Sequence, residues 1–109
     1  MVLRVVKKTL ELEGWRVEGY AYGDAALRRL EGEERYALVI AGDGVPGACG
    51  LELIRRARAL PHRRHTPIIA FTSGSLRAEA LGGGADEFLK KPEGVYAVRE
   101  TVALLLGSA

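Results

Sequence analysis

Residues 39–50 read VIAGDGVPGACG, a β-like run opening into a glycine-rich turn. Gly42-x-Gly44-x-x-Gly47 has the spacing of a dinucleotide-binding loop, in which backbone N–H groups at a helix N-terminus face a pyrophosphate. That chemistry needs a helix starting inside the motif. Here Pro46 interrupts it and pushes Val45 toward extended geometry, and the following helix is predicted only from about Leu51. An acidic residue about 20 positions onward should hold the ribose. The region reads HRRHTPIIAFT and offers none. The glycine spacing is therefore read as accidental, and no nucleotide cofactor is expected. A second candidate, the basic cluster His62-Arg63-Arg64-His65, reads as a solvated loop rather than a phosphate clamp.

The elements that must position such residues follow from periodicity. Residues 1–13 place Leu3, Val6 and Leu10 on one face and Lys7, Lys8 and Glu11 on the other, an amphipathic helix stopped by Gly14. Residues 15–20 alternate Trp, Val and Gly with Arg, Glu and Tyr, as a strand does. A short helix is predicted over 25–30, opened by Gly23-Asp24 and closed by Gly32. Residues 37–41 and 67–72 are continuous apolar runs, expected of strands buried on both faces. Helices at 51–60 and 76–81, a strand at 87–90 and a last helix at 95–106 complete the chain. Strands alternating with helices imply a mostly parallel sheet covered on both faces, with ligands at the carboxyl ends of the strands. The loops after Ala41, Phe71 and Leu89 therefore matter most.

The bulk numbers limit the function classes. The 109 residues suit one domain, spanning 1–109. A net charge of +2 is too mild to argue for nucleic acid, and no apolar run reaches membrane-spanning length. The single cysteine, Cys49, excludes an intrachain disulfide and fits a reducing, cytoplasmic setting.

The ordered elements and three motifs resemble a response-regulator receiver domain, a chemotaxis-type phosphoacceptor fold, over nearly the whole chain. ALVIA, then VPG, then GLELI is similar to the family's third strand, proline turn and third helix. TPIIAFTS resembles the fourth strand with its terminal hydroxyl, and GADEFLKKP the fifth strand with its Lys-Pro. The resemblance implies a flavodoxin-like three-layer α/β sandwich, with a mostly parallel sheet of about four strands and helices on both faces. In receivers a carboxylate ending the third strand attacks a phosphoryl donor, Mg²⁺ neutralises the developing charge, and a hydroxyl and a lysine contact the phosphoryl oxygens.

By resemblance, Thr72 matches the hydroxyl, Lys91 the lysine, and Phe88 the aromatic that switches rotamer. The bland readings are a strand-end cap for Thr72, a solvated side chain for Lys91 and plain core for Phe88. The acceptor position holds Gly42, which has no nucleophile. Asp43 lies one residue on, where a one-residue slip reverses side-chain direction, so it is the weaker acceptor candidate. The family's first strand and its acidic pair have no counterpart before the helix at 1–13, so no family-type metal site is expected. The sheet would then close by direct pairing of 15–20 with 37–41, by strand edges from a second chain, or by Met1–Val6 switching to a strand, the last being least favoured.

The resulting expectation is a degenerate pseudo-receiver of a two-component phosphorelay. It is a non-enzymatic module that binds a signalling protein or histidine kinase, as a homodimer, without cofactor. The last helix carries more apolar surface than one core-facing stripe needs, which suits such a contact. The alternative is a working receiver, phosphorylated on Asp43 by a histidine kinase with Mg²⁺.

Overall fold

A computed structural model describes residues 2–20, 22–42, 50–72, 77–90 and 96–106. In chain order these form α1 (Val2–Leu12), α2 (Gly23–Glu31), β1 (Val39–Gly42), α3 (Gly50–Ala59), a 3₁₀ turn (Pro61–Arg63), β2 (Ile68–Thr72), α4 (Arg77–Gly82), β3 (Glu87–Lys90) and α5 (Val98–Leu106). The three strands form one parallel sheet in the order β1-β2-β3, pairing Val39 with Ile68 and Ile69 with Glu87.

Alternate side chains of the central strand enter different cores, because successive residues point to opposite faces. Ile68 and Ala70 join Leu27 and Leu30 of α2, Leu53, Ile54 and Ala57 of α3, and Ala80 of α4. Ile69 and Phe71 join Val6 and Leu10 of α1 and Val98 and Val102 of α5. Two helices thus cover one face and three the other, which is the expected three-layer sandwich. Every residue of β2 is buried, as its uninterrupted apolar run required. The amphipathic reading of the first helix agrees with this, since among its described side chains Val6 and Leu10 are the buried ones.

Two glycines stop helices by adopting positive φ, where a Cβ would be strained. Gly14 has φ +95°, and the Trp15 N–H donates back to Leu10 O at 3.1 Å. Gly84 has φ +121°, and the Ala85 N–H donates to Ala80 O at 3.1 Å. Of the run 82–84, Gly84 is therefore the αL residue of the cap. A Cβ there would also stand 3.1 Å from Arg58 Cγ.

Several expectations need correction. Residues 15–20 join no ladder, so the sheet has three strands among the described residues rather than four. The alternation of that segment is real, and Val17 packs against the α1/α5 core. A strand, however, also requires a neighbour for its backbone. Direct closure of 15–20 onto β1 does not occur either: among the described residues, 16–20 make no backbone–backbone hydrogen bond. The switch of residues 1–6 to a strand is likewise not seen, because α1 is helical from Val2. The last helix starts at Val98, preceded by 3₁₀ geometry at 96–97.

A further correction concerns one member of the basic cluster, whose other three residues are exposed as expected. Arg63 is 4% exposed, not solvated. Its Nε donates to Leu30 O (2.9 Å), and its Nη2 donates to Gly32 O (3.2 Å) and Glu34 O (2.6 Å). Its guanidinium lies 5.2 Å from the centroid of the Tyr36 ring. His62 Nε2 also bonds Leu30 O (2.9 Å) and Gly32 O (2.8 Å). The last carbonyls of a helix have no partner within it and carry partial negative charge. Arg63 and His62 supply that partner for α2.

Candidate functional site

Parallel pairing brings the carboxyl ends of the three strands to one edge. Gly42 ends β1 opposite Phe71, and Thr72 ends β2 opposite Lys90, which ends β3. The structure thus assembles one glycine, one hydroxyl and one lysine at the place where parallel sheets bind ligands. Gly42 is half-buried and offers no side chain. Lys90 is exposed. Asp43 and Lys91, the candidate acceptor and the candidate phosphate-contacting lysine, lie outside the described residues, as do the loop glycines 44 and 47, and Ala48 and Cys49.

Thr72 is the most informative of the three. It is 3% exposed, and its Oγ1 is buried without a hydrogen-bond partner among the described residues. A buried hydroxyl left unpaired costs about 1–3 kcal/mol. That observation argues against a strand-end cap, since a cap would be hydrogen-bonded. Phe88 sits opposite Ala70 on β3, partly buried against the core beneath α2, α3 and α4. Its contacts are those of a core side chain that keeps some exposure.

Among the described residues this edge offers a threonine hydroxyl and a lysine, which do not suit Mg²⁺, since it takes oxygen ligands, chiefly carboxylates and water. Among the described residues no three His, Cys, Asp or Glu side chains cluster in a way that could hold a metal ion.

The strongest electrostatic perturbation lies elsewhere. Glu18 accepts hydrogen bonds from Tyr36 Oη (2.8 Å) and Tyr20 Oη (2.9 Å) and pairs with Arg29 Nη2 (3.4 Å). These contacts, Tyr36 first, lower its pKa from 4.5 to about 2. Burial, reinforced by the Glu18 contact, raises the Tyr36 phenol. The cluster fastens 15–20 to α2 and to the approach to β1, in place of the missing ladder. Perturbed groups mark functional sites only when no structural ion pair explains them, and here one does.

A second polar junction also escaped the sequence reading. Arg58 donates from Nε and Nη2 to Gly84 O (3.1 and 2.8 Å) and from Nη2 to Asp86 Oδ2 (2.8 Å). Its Nη1 donates to the carbonyls of Arg63, Arg64 and Thr66. Asp86 Oδ2 in turn accepts the Ile68 N–H at 2.8 Å. This junction ties α3 to the starts of β2 and β3, away from the carboxyl edge. Helical spacing sets Arg58 on a face with Leu51 and Ile54, but nothing local in the sequence reveals the carbonyls waiting there.

Comparison with known proteins agrees with this geometry. The family described as the response regulator receiver domain matches residues 1–103. The phosphate regulon transcriptional regulatory protein PhoB of Rhizobium meliloti is 37% identical over 91 residues, covering 81% of this chain. The chain spans only 40% of PhoB's length. The chemotaxis protein CheY1 of Helicobacter pylori strain J99 is 28% identical over 109 residues, covering 96% of this chain and 88% of CheY1. Among solved structures, the receiver domain of the sensor histidine kinase PA1611 of Pseudomonas aeruginosa PAO1 superposes with a TM-score of 0.81 at 28% identity. It covers 98% of this chain and 87% of that one. That receiver has a magnesium ion coordinated in its active-site cleft. A response regulator of Chloroflexus aurantiacus superposes with a TM-score of 0.88 at 25% identity, covering 97% and 88%. No helix among the described residues is long and apolar enough to cross a membrane. With the family match over nearly its whole length and the flavodoxin-like three-layer sheet in place, the chain belongs to the response-regulator receiver family of two-component signalling.

Proposed function

We propose that this receiver domain is a degenerate, pseudo-receiver member of a phosphorelay that signals by protein contact, without accepting a phosphoryl group. The carrying observation is Gly42 at the end of β1, where the family's acceptor carboxylate would stand. A glycine supplies no nucleophile, and neither the neighbouring Thr72 hydroxyl nor Lys90 replaces one. The domain is then a non-enzymatic module of the cytoplasm, with a signalling protein or histidine kinase as partner and no nucleic-acid role. Its contact surface is the face of α4, β3 and α5, where Leu81 (36%), Tyr96 (88%) and Leu104 (72%) stand exposed. Val98 and Val102 of the same helix are core, so only part of its apolar surplus is free for a partner.

One observation favours the alternative. Asp43 directly follows Gly42, the last residue of β1, so the sequence puts a carboxylate next to the strand end. On that reading Asp43 is the acceptor, phosphorylated by a histidine kinase with Mg²⁺. Incubation with acetyl phosphate and Mg²⁺, followed by intact-mass measurement, separates the two. No phosphate adduct is expected. An adduct that requires Mg²⁺ and disappears in Asp43→Ala would establish the working receiver instead.

A further inference from the structure

The outer edge of β1 is open among the described residues. The Val39 N–H donates to Pro67 O at 2.9 Å, so Val39, and with it Ala41, faces β2. Successive residues of a strand turn their N–H and C=O groups to opposite edges. Ile40 and Gly42 therefore turn theirs away from β2, where no described residue pairs with them. Sheets blunt such an edge with charge, proline or a bulge. Residues 37–42 read ALVIAG and carry neither charge nor proline. Leu38 and Ile40 pack on the α1/α5 core and Val39 on the core beneath α2, α3 and α4, yet all three are only half-buried. The stretch 16–20 is unpaired too. It is neither helical nor turned, makes no backbone–backbone hydrogen bond among the described residues, and sends Val17 into the same core as Leu38 and Ile40. Its tie to the approach to β1 runs through side-chain tips, Tyr36 Oη donating to Glu18 Oε1 at 2.8 Å. A tyrosine and a glutamate end to end can bridge two strand spacings, about 10 Å.

We propose that the slot between β1 and 16–20 takes an extended segment of a partner protein, which pairs with both of its walls. The backbone groups specify the occupant's shape, since only a strand offers N–H and C=O groups to two neighbours at their spacing. The two cores specify its side chains. Alternate positions meet Val17, Leu38 and Ile40 on one face, and the others meet Val39 on the opposite face, so the segment is uncharged and apolar at successive positions. These demands set a second copy aside. Its β1 already pairs with its own β2 along one edge, and its β2 is paired along both. Its β3 carries Glu87 and Lys90, and its 16–20 carries Arg16 and Glu18. The slot borders β1, at the opposite edge of the sheet from β3, so it and the signalling surface assigned above can fail separately.

Amide hydrogen exchange of the whole chain, read by NMR, tests the proposal residue by residue. In the chain alone the Ile40 and Gly42 amides should exchange at least about tenfold faster than that of Ala41, which faces β2. Slow exchange at Ile40 and Gly42 would show the edge already covered and overturn the proposal. The probe is a capped heptapeptide, Lys-Val-Ile-Val-Ile-Val-Lys, whose end lysines keep it soluble. At roughly 1 mM it should slow exchange at Ile40, at Gly42 and at alternate amides of 16–20 by at least about tenfold. No protection at that concentration would overturn the proposal. N-methylation of either alternate set of peptide amides removes the donors to one wall, so each set should weaken binding at least about tenfold. Tolerance of one set would reduce the contact to a single edge and overturn the slot. Ile40→Pro removes an outward N–H that an edge strand can spare. It should keep a cooperative thermal transition yet lose the peptide's protection of Gly42, and retained protection there would also overturn the proposal.

Discussion

The Thr72 hydroxyl allows a test whose sign alone is decisive. Thr72→Val keeps the β-branched shape at the end of β2 and replaces Oγ1 by a methyl group. The residue is 3% exposed and the hydroxyl has no partner among the described residues. Removing an unpaired buried hydroxyl recovers about 1–3 kcal/mol. The new methyl adds up to about 0.8 kcal/mol of apolar burial. Small losses from imperfect fit offset the methyl's gain, so a net gain of about 1–3 kcal/mol is expected. In a domain of this size each kcal/mol moves Tm by roughly 4 °C. Urea unfolding of the two proteins, with the m-value unchanged, measures the difference directly. Destabilisation by about 1 kcal/mol or more would refute the reasoning. It would mean that the hydroxyl is hydrogen-bonded in solution and that Thr72 is a structural cap. A gain would place Thr72 among residues kept at a cost to stability, the usual pattern at functional positions.

Two further expectations concern the polar junctions. Arg63→Met removes the guanidinium from three carbonyls and from Tyr36, leaving Glu34 O without its Arg63 donor while His62 still serves Leu30 O and Gly32 O. Destabilisation by about 2–3 kcal/mol is expected in urea, and a loss below about 0.5 kcal/mol would show that water replaces Arg63 at no cost. For Glu18 the folded carboxyl titrates near 2 against an ordinary 4.5, so the unfolded chain binds more protons in that interval. Its stabilisation is complete above 4.5 and is lost as pH falls toward 2. Glu18→Gln should therefore flatten the decline in stability between those pH values, and acid titration monitored by circular dichroism would show an unchanged decline if the pairing does not persist in solution.

Much of the fold was legible because it depends on local pattern. The run at 67–72 contains no polar residue apart from Thr72 and β2 is buried throughout, whereas the equally apolar run at 37–41 pairs only from Val39 and is only partly buried, because β1 is an edge strand among the described residues. The helical stripe of Val6 and Leu10, the Gly14 stop and the strand at 87–90 were readable for the same reason: period and punctuation are properties of neighbouring residues. The strand expected at 15–20 shows the limit. Its alternation is visible in the sequence, but hydrogen bonding requires a second backbone, and no local pattern reports whether one stands alongside. In its place Glu18, Tyr20, Tyr36 and Arg29, spread over 18 positions, hold the segment.

The carboxyl-edge residues divide in the same way. Sequence by itself determined which side chains could stand there: Gly42 supplies no nucleophile wherever the chain goes, and Thr72 follows an apolar run that must end at the sheet edge. It also determined the charge order along α1. Only tertiary structure decided that Thr72 is buried with its hydroxyl unpartnered among the described residues, that Gly42 pairs with Phe71 just before it, and that Val5 and Leu12 remain exposed. The basic run at 62–65 is the clearest case. As composition it reads as a solvated patch, and His62, Arg64 and His65 are exposed, but Arg63 becomes an interior clamp because the C-terminal carbonyls of α2 meet it some thirty residues further along the chain. Residue type sets what a group can bond to, whereas burial and partnership depend on which distant backbone the fold carries to it.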